Sequence, residues 1–280
     1  MGDLWFGMAI NLAASGICGF AIRQLSRQWP LRWVDAAGVA LAVVMVGYIL
    51  LFWDHPCLAR WLPYSNLIVL GNAFPLFAAI LAGLTCRRLR ARPRTRTTAV
   101  VLLIVVSVGA LIRPLLGTAP VCEASWDGDV CLQTTKHTCS AASAATVLRG
   151  VGVTTSEAEM ARLCLTRQGT HWMGLYRGLS QKLSPTWRIE VFDTAKLETL
   201  RQVSPQAPAI LTVELPRDVP VGWEYREESG WLPGISHSVV CLGPDGGDQW
   251  LIADPANGRE RWSTSDLLLL WQGQGMRLTR

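Results

Sequence analysis

Four apolar runs crowd the first 112 residues and limit what the front of this chain can become. Residues 4–22 include nineteen positions without a charge, 36–53 eighteen, 61–86 twenty-six and 97–112 sixteen. A helix rises ~1.5 Å per residue, so about 20 residues cross a ~30 Å hydrocarbon core. The first three runs meet that length. The fourth meets it by continuing through Leu116, with Arg113 snorkelling to the interface. One such run suits a buried helix of a soluble core, but four in succession predict a four-span membrane region over residues 1–117. Trp5, Trp29, Trp33, Trp53 and Trp61 fall near the run ends, where an aromatic belt forms.

Charge gives the runs a direction. Residues 1–120 carry eleven Arg, no Lys and three acidic residues, whereas 121–280 carry fifteen basic and eighteen acidic residues. The connection after the first run has Arg23, Arg27 and Arg32. The one after the third has Arg87, Arg88, Arg90, Arg92, Arg94 and Arg96. The opposite side offers only Arg60 and the border residue Arg113. The positive-inside rule places the Arg-rich connections in the cytoplasm of a bacterial-type cell membrane, with both termini and residues 118–280 on the extracytoplasmic side. This sidedness depends on the fourth run spanning. The first run opens Met1-Gly2-Asp3 without a basic segment and further runs follow, so it reads as a span and not as a signal peptide. With 50% hydrophobic and 17% charged residues, the composition excludes a disordered or collagen-like chain. Its basic charge lies between apolar runs, which implies a lipid bilayer as partner and no nucleic acid.

Residues 118–280 change character. Five of the eight cysteines lie here, and Cys122 and Cys131 bracket a short loop containing Trp126, Asp127 and Gly128, so a small disulfide is expected. Residues 139–149, Ala-rich and free of Gly and Pro, read as a helix capped by the preceding Thr. Ser156 and Glu159 suggest a capping box opening a helix through Leu163, and 171–182 has apolar residues at helical spacing. Strands follow at 186–192 and 209–215, separated by a helix over 195–202. Two more, 236–242 and 249–253, are joined by Gly-Pro-Asp-Gly-Gly-Asp. A strand at 259–263, a helix at 265–271 and a strand at 276–279 complete an α+β domain with an antiparallel sheet.

Cys139 stands at the first turn of its helix, beside unpaired backbone N–H groups and the positive end of the helix dipole. Both favour thiolate over thiol. The domain has three His, and His237 opens an apolar strand. A hairpin centred on the Asp245-Gly246 turn pairs residues whose numbers sum to 491, as 237 and 254 do, so His237 and Asp254 share one end of two paired strands. A carboxylate beside an imidazole fixes its tautomer and stabilises imidazolium. Gln133, six residues before Cys139, is the side-chain candidate for an oxyanion donor, with the Cys139 backbone N–H as the second. The spacing of Cys122, Cys131, His137 and Cys139 fits no common zinc pattern, so neither metal nor cofactor is expected.

Gln133-Thr-Thr-Lys-His-Thr-Cys139-Ser, Gly169-Thr170 before a helix, His237-Ser-Val-Val and Ile252-Ala-Asp254-Pro255 together resemble the bacteriocin-processing cysteine peptidases. These are papain-like domains best known at the N-terminus of bacteriocin ABC exporters, where they cut leader peptides after a double glycine. The resemblance covers about residues 130–256. It implies a papain-like cysteine peptidase domain with Cys139 as nucleophile, His237 as base, Asp254 as its orienter and Gln133 as oxyanion donor. Two departures stand out. The family usually has Asp-Cys-Gly where this chain has Thr138-Cys139-Ser140, which bears on the double-glycine specificity. No Gly-rich Lys-Ser/Thr phosphate loop occurs, so ATP binding is not expected, and an exporter or other membrane partner would be a separate protein.

The reading of the whole is a multi-pass α-helical membrane region carrying a cysteine peptidase that hydrolyses a peptide or protein substrate through an acyl-enzyme. A non-catalytic peptide-binding domain and a related acyl transferase or amidase are the alternatives. The segment 217–234, with Trp223, Tyr225 and Trp231 among Glu224, Glu227 and Glu228, is expected to flank the substrate cleft.

Overall fold

A computed structural model describes residues 1–194, 196–217 and 231–280. The chain forms two compact units, Met1–Leu58 with Asn66–Leu116, and Gly117–Arg280 together with Ala59–Ser65.

In the first unit, four helical stretches are long and apolar enough to cross a membrane: Gly2–Gln28, Leu31–Leu51, Leu67–Arg88 and Pro93–Leu115. The fourth is longer than the uncharged run suggested, because its helix starts at Pro93 and carries Arg94 and Arg96 in its first turns. Proline suits that first position, where its missing N–H would have no partner. The third run is not one helix. The helices α1 (Gly2–Leu25), α2 (Leu31–Leu51), the one-turn α3 (Leu58–Trp61) and α6 (Pro93–Ile112) are each unbroken, whereas a short α4 (Leu67–Leu70) gives way at Gly71 to Ala73 before α5 (Phe74–Arg88). Pro75 supplies the reason, since it cannot donate to the carbonyl one turn earlier. Side chains of neighbouring helices take up the freed groups. Asn11 Nδ2 donates to Val69 O at 3.0 Å and to Asn72 O at 2.9 Å, and the Tyr48 hydroxyl donates to Gly71 O. Asn72 receives the Phe74 N–H on its own side-chain oxygen at 3.1 Å. A broken helix is tolerated in hydrocarbon only under such repair.

The second unit is α+β. Its six-stranded sheet has the order β3-β8-β4-β5-β6-β7, antiparallel throughout: β3 Arg188–Asp193, β4 Ala209–Glu214, β5 Ser236–Pro244, β6 Gln249–Asp254, β7 Gly258–Ser263 and β8 Trp271–Thr279. Helices α7 (Cys139–Gly150), α8 (Glu157–Leu163) and α9 (Trp172–Lys182) form as expected, and α7 packs on β5. The helix expected over 195–202 is shorter, α10 at Leu197–Leu200. The last strand is longer than expected and inserts between β3 and β4. Its Gly-Gln-Gly stretch reads as a loop in sequence, yet the bare Gly275 is what lets the Phe192 ring lie against the strand: a Cβ there would sit 2.3 Å from that ring.

Two local expectations are corrected. Ser156 accepts the Glu159 N–H at 3.2 Å, but the Glu159 carboxylate turns to Thr155 and Lys182, so only half of a capping box forms. The complete box is at Ser263 and Asp266, opening α11 (Thr264–Leu270). Cys122 and Cys131 are free thiols. The hairpin of β1 (Ser125–Asp127) and β2 (Val130–Leu132) sets Cys131 opposite Trp126, and Cys122 lies before β1, outside that pairing.

Candidate active site

The site begins with the helix that carries Cys139. Thr138 is its N-cap residue but does not cap it with its side chain. Its hydroxyl turns back to donate to Thr135 O at 2.9 Å, while the Thr135 N–H donates to that hydroxyl at 3.1 Å. The first-turn N–H groups of α7 therefore keep their positive field for whatever lies at Cys139. Behind Cys139, the small residues Ala141, Ala142, Ala144 and Ala145 are fully buried and let the helix approach the sheet closely. Ser140 Oγ lies 2.8 Å from Ser238 Oγ, and Ser143 Oγ donates to Ser238 O at 3.0 Å. Ser140, where the resembled family usually has Gly, thus serves to pin the helix start to β5.

That pinning brings Cys139 to His237, the residue before Ser238. His237 is hydrogen-bonded to Cys139, and its Nε2 lies 2.8 Å from Asp254 Oδ1. His237 is 1% exposed and Asp254 is fully buried. The hairpin register behind this is not the one expected. Val240 faces Ala253 and Cys241 faces Ile252, and the pairing then slips at a bulge between Cys241 and Gly243. His237 and Asp254 consequently sit on one face of the sheet as diagonal neighbours rather than as opposed residues, still within side-chain reach.

The electrostatics follow from these contacts. Burial by itself raises the Cys139 pKa, but the hydrogen bond and charge of His237, with smaller help from the Ser238 backbone and Ser140, hold it below the ordinary thiol value. Burial by itself lowers the His237 pKa, but bonds to Asp254 and Cys139 and their charges raise it. The arrangement favours a thiolate beside an imidazolium. Elsewhere in this unit burial wins: it pushes Cys164 and Cys241 up to about 12, and burial with the nearby Glu157 charge does the same to Cys131.

Gln133 is brought to the same end of the sheet by its backbone, whose N–H donates to Pro255 O at 2.7 Å. The next residue is held by Glu157, 1% exposed, which accepts the Thr134 N–H at 2.8 Å and the Thr134 hydroxyl at 2.6 Å. His237 thus joins Cys139 to Asp254, and the Gln133 backbone is bonded to Pro255, the residue after Asp254.

Sequence reasoning missed the groups that hold the acid. Asp254 Oδ2 accepts from Trp231 Nε1 at 2.7 Å and from Asn257 Nδ2 at 3.2 Å, and Oδ1 also accepts the Ala256 N–H at 2.9 Å. Asp-Pro-Ala-Asn after a strand is a turn signature that could have pointed to Asn257. Trp231, expected within the cleft-flanking segment, is 1% exposed and belongs to the core. The rest of that expectation, Trp223, Glu224, Tyr225, Glu227 and Glu228, lies outside the described residues.

Comparison with known proteins bears on residues across this unit. Several solved structures are similar, three of which follow. The peptidase domain of Streptococcus ComA, a bifunctional ABC transporter involved in a quorum-sensing pathway, is 21% identical over 53% of this chain and 95% of its own, with a TM-score of 0.40. The peptidase domain of Streptococcus mutans ComA is 16% identical over 55% and 100%, with a TM-score of 0.35. A double glycine motif protease from an AMS/PCAT transporter, solved with its leader peptide, is 18% identical over 58% and 98%, with a TM-score of 0.38. No curated protein matches the chain. The sequence profile of the Peptidase_C39 like family matches residues 127–275, more than half of the chain and nearly the whole sheet, and by that match the chain belongs to the Peptidase_C39 like family.

Proposed function

We propose that this chain is a membrane-anchored cysteine peptidase in which Cys139 is the nucleophile, His237 the general base and acid, Asp254 the residue that orients and charges the imidazole, and Gln133 a donor to the oxyanion. The observation that carries the reading is a buried imidazole hydrogen-bonded on one side to a thiol at a helix start and on the other to a buried carboxylate. Cys139 Sγ, as thiolate, attacks the scissile carbonyl carbon. Charge moves to the carbonyl oxygen, where the Gln133 side-chain amide and the Cys139 backbone N–H donate to it. The C–N bond breaks as the His237 imidazolium gives its proton to the leaving amine, and a thioester remains. His237, now neutral, takes a proton from water, the hydroxide adds to the thioester, and the acid product leaves as the thiolate–imidazolium pair returns.

The Arg-rich connections support an extracytoplasmic position for this unit, so the substrate would be a peptide or protein segment presented outside the cytoplasm. The directions of the two pKa shifts set the pH dependence. The reactive pair forms above the lowered Cys139 pKa and is lost above the raised His237 pKa, giving a bell whose acid limb lies below the ordinary thiol range and whose alkaline limb lies at about 10. The test is to incubate the full chain in detergent with a peptide library in 18O-water and read the products by mass spectrometry. Cleavage with 18O in the new carboxyl termini is expected. A library left intact across pH 5–10 while Cys139 remains reactive would move the reading to peptide binding without hydrolysis.

A further inference from the structure

The Asp254 carboxylate has one partner that hydrolysis does not by itself require. The Trp231 indole N–H donates to Asp254 Oδ2 at 2.7 Å. The same ring lies 4.7 Å from the His237 imidazole, centroid to centroid, tilted by 45°. One side chain thus touches both members of the acid–imidazole pair, and at 1% exposure it closes that side of them to water. Its far side meets Trp262 edge-on at 6.0 Å, and Trp262 Nε1 donates to Glu260 at 2.7 Å. Ala256 and Asn257 also donate to Asp254, but both stand on the turn that follows it. Trp231 reaches it from a separate part of the chain.

We propose that Trp231 is a positioning residue for the catalytic pair: its N–H holds Oδ2 so that Oδ1 stays aimed at His237 Nε2, and its ring keeps the pair dry. The proposal rests on the reading of Cys139 and His237 as nucleophile and base. A carboxyl torsion is broad and roughly two-fold, so an unpinned Asp254 would sample orientations that leave Nε2 without its acceptor. Exclusion of water strengthens the remaining attraction between carboxylate and imidazolium. Among the described residues, the charged and titratable groups that face His237 are Cys139 from α7, Asp254 from β6 and Glu260 from β7. Glu260 is shifted upward, by burial first and also by the Asp254 charge.

The test uses the full chain in detergent and follows Cys139 alkylation against pH by peptide-level mass spectrometry in the wild type, Trp231→Phe, Asp254→Ala and the double variant. Phe keeps a ring on the imidazole and removes the donor. Trp231→Phe is expected to slow Cys139 alkylation at pH 6 about tenfold and to raise the onset of reactivity by about one pH unit, the scale of a lost hydrogen bond to a charged group. In the Asp254→Ala background it should add little, because its action passes through Asp254. A Trp231→Phe profile that overlays the wild type, or an equal effect in both backgrounds, overturns the proposal while leaving Cys139 and His237 in their roles. A wild type that itself titrates like a free thiol overturns the parent reading and this proposal with it. Should Trp231→Phe not fold, the indole 15N resonance of Trp231 in the wild type decides: it must shift through the same midpoint as Cys139 reactivity, and a flat resonance overturns the proposal.

Discussion

Cys139→Ala should reduce peptide cleavage by about 10⁴-fold or more while leaving the fold in place. The size of the effect follows from what one atom does. In the proposed cycle the Cys139 sulfur forms the bond to the substrate carbonyl, and no other thiol of this unit has the same setting. Cys131, Cys164 and Cys241 are buried, with burial holding them as neutral thiols. Ala is a better helix former than Cys, and the helix start stays pinned by Ser140 and Ser143 on Ser238, so stability should hardly change. Cleavage kinetics beside a thermal melt check both halves. Cleavage retained in a folded Cys139→Ala protein would exclude Cys139 as nucleophile.

Asp254→Asn should be almost as damaging, by about 10²–10⁴-fold in kcat, even though some cysteine peptidases use Asn beside their histidine. The reason is local. Both Asp254 oxygens accept two donors each, His237 and Ala256 on Oδ1, Trp231 and Asn257 on Oδ2. A carboxylate satisfies all four because it is acceptor-only, whereas an amide presents an NH2 to two donors whichever way it is flipped. With the NH2 toward His237, the imidazole proton is driven to the nitrogen facing Cys139, where it cannot take the thiol proton. With the NH2 toward Trp231, a buried pair of donors faces donors, at a cost of about 1–3 kcal/mol for each group left unsatisfied. The variant should therefore lose activity and also melt earlier. Full activity with an unchanged melt would show that the Asp254 charge and its four contacts have no part in the reaction.

How much of this was legible in the sequence depends on whether the signal was local. Apolar runs are a counting problem, so the four long apolar helical stretches could be read directly, but the break at Gly71 to Ala73 required noticing that Pro75 interrupts the third run from within. Cys139 was legible because a helix start announces itself through an Ala-rich stretch after Thr138. His237 and Asp254 were legible as a pair because a hairpin ties their positions together. The assumed register was off by two, since the bulge after Cys241 and the long turn are not encoded in the apolar alternation. The side chains that hold the site were much harder to read. Trp231 reaches Asp254, and Ser140 reaches Ser238 from 98 residues away, across contacts that no periodicity reports. The same holds for Cys122 and Cys131, whose short spacing suggested a bridge that the hairpin register does not make.

In the proposed cycle Cys139 and His237 act as one titrating pair. The direct measurement is the rate of Cys139 alkylation against pH in the full chain, read by peptide-level mass spectrometry, for the wild type and His237→Ala. No substrate is needed. Rapid alkylation is expected below about pH 8.5, the region where a free thiol titrates, with the His237→Ala profile shifted up to about that value. A wild-type Cys139 that titrates near pH 8.5, or a low-pH reactivity that survives the loss of His237, would contradict that pairing.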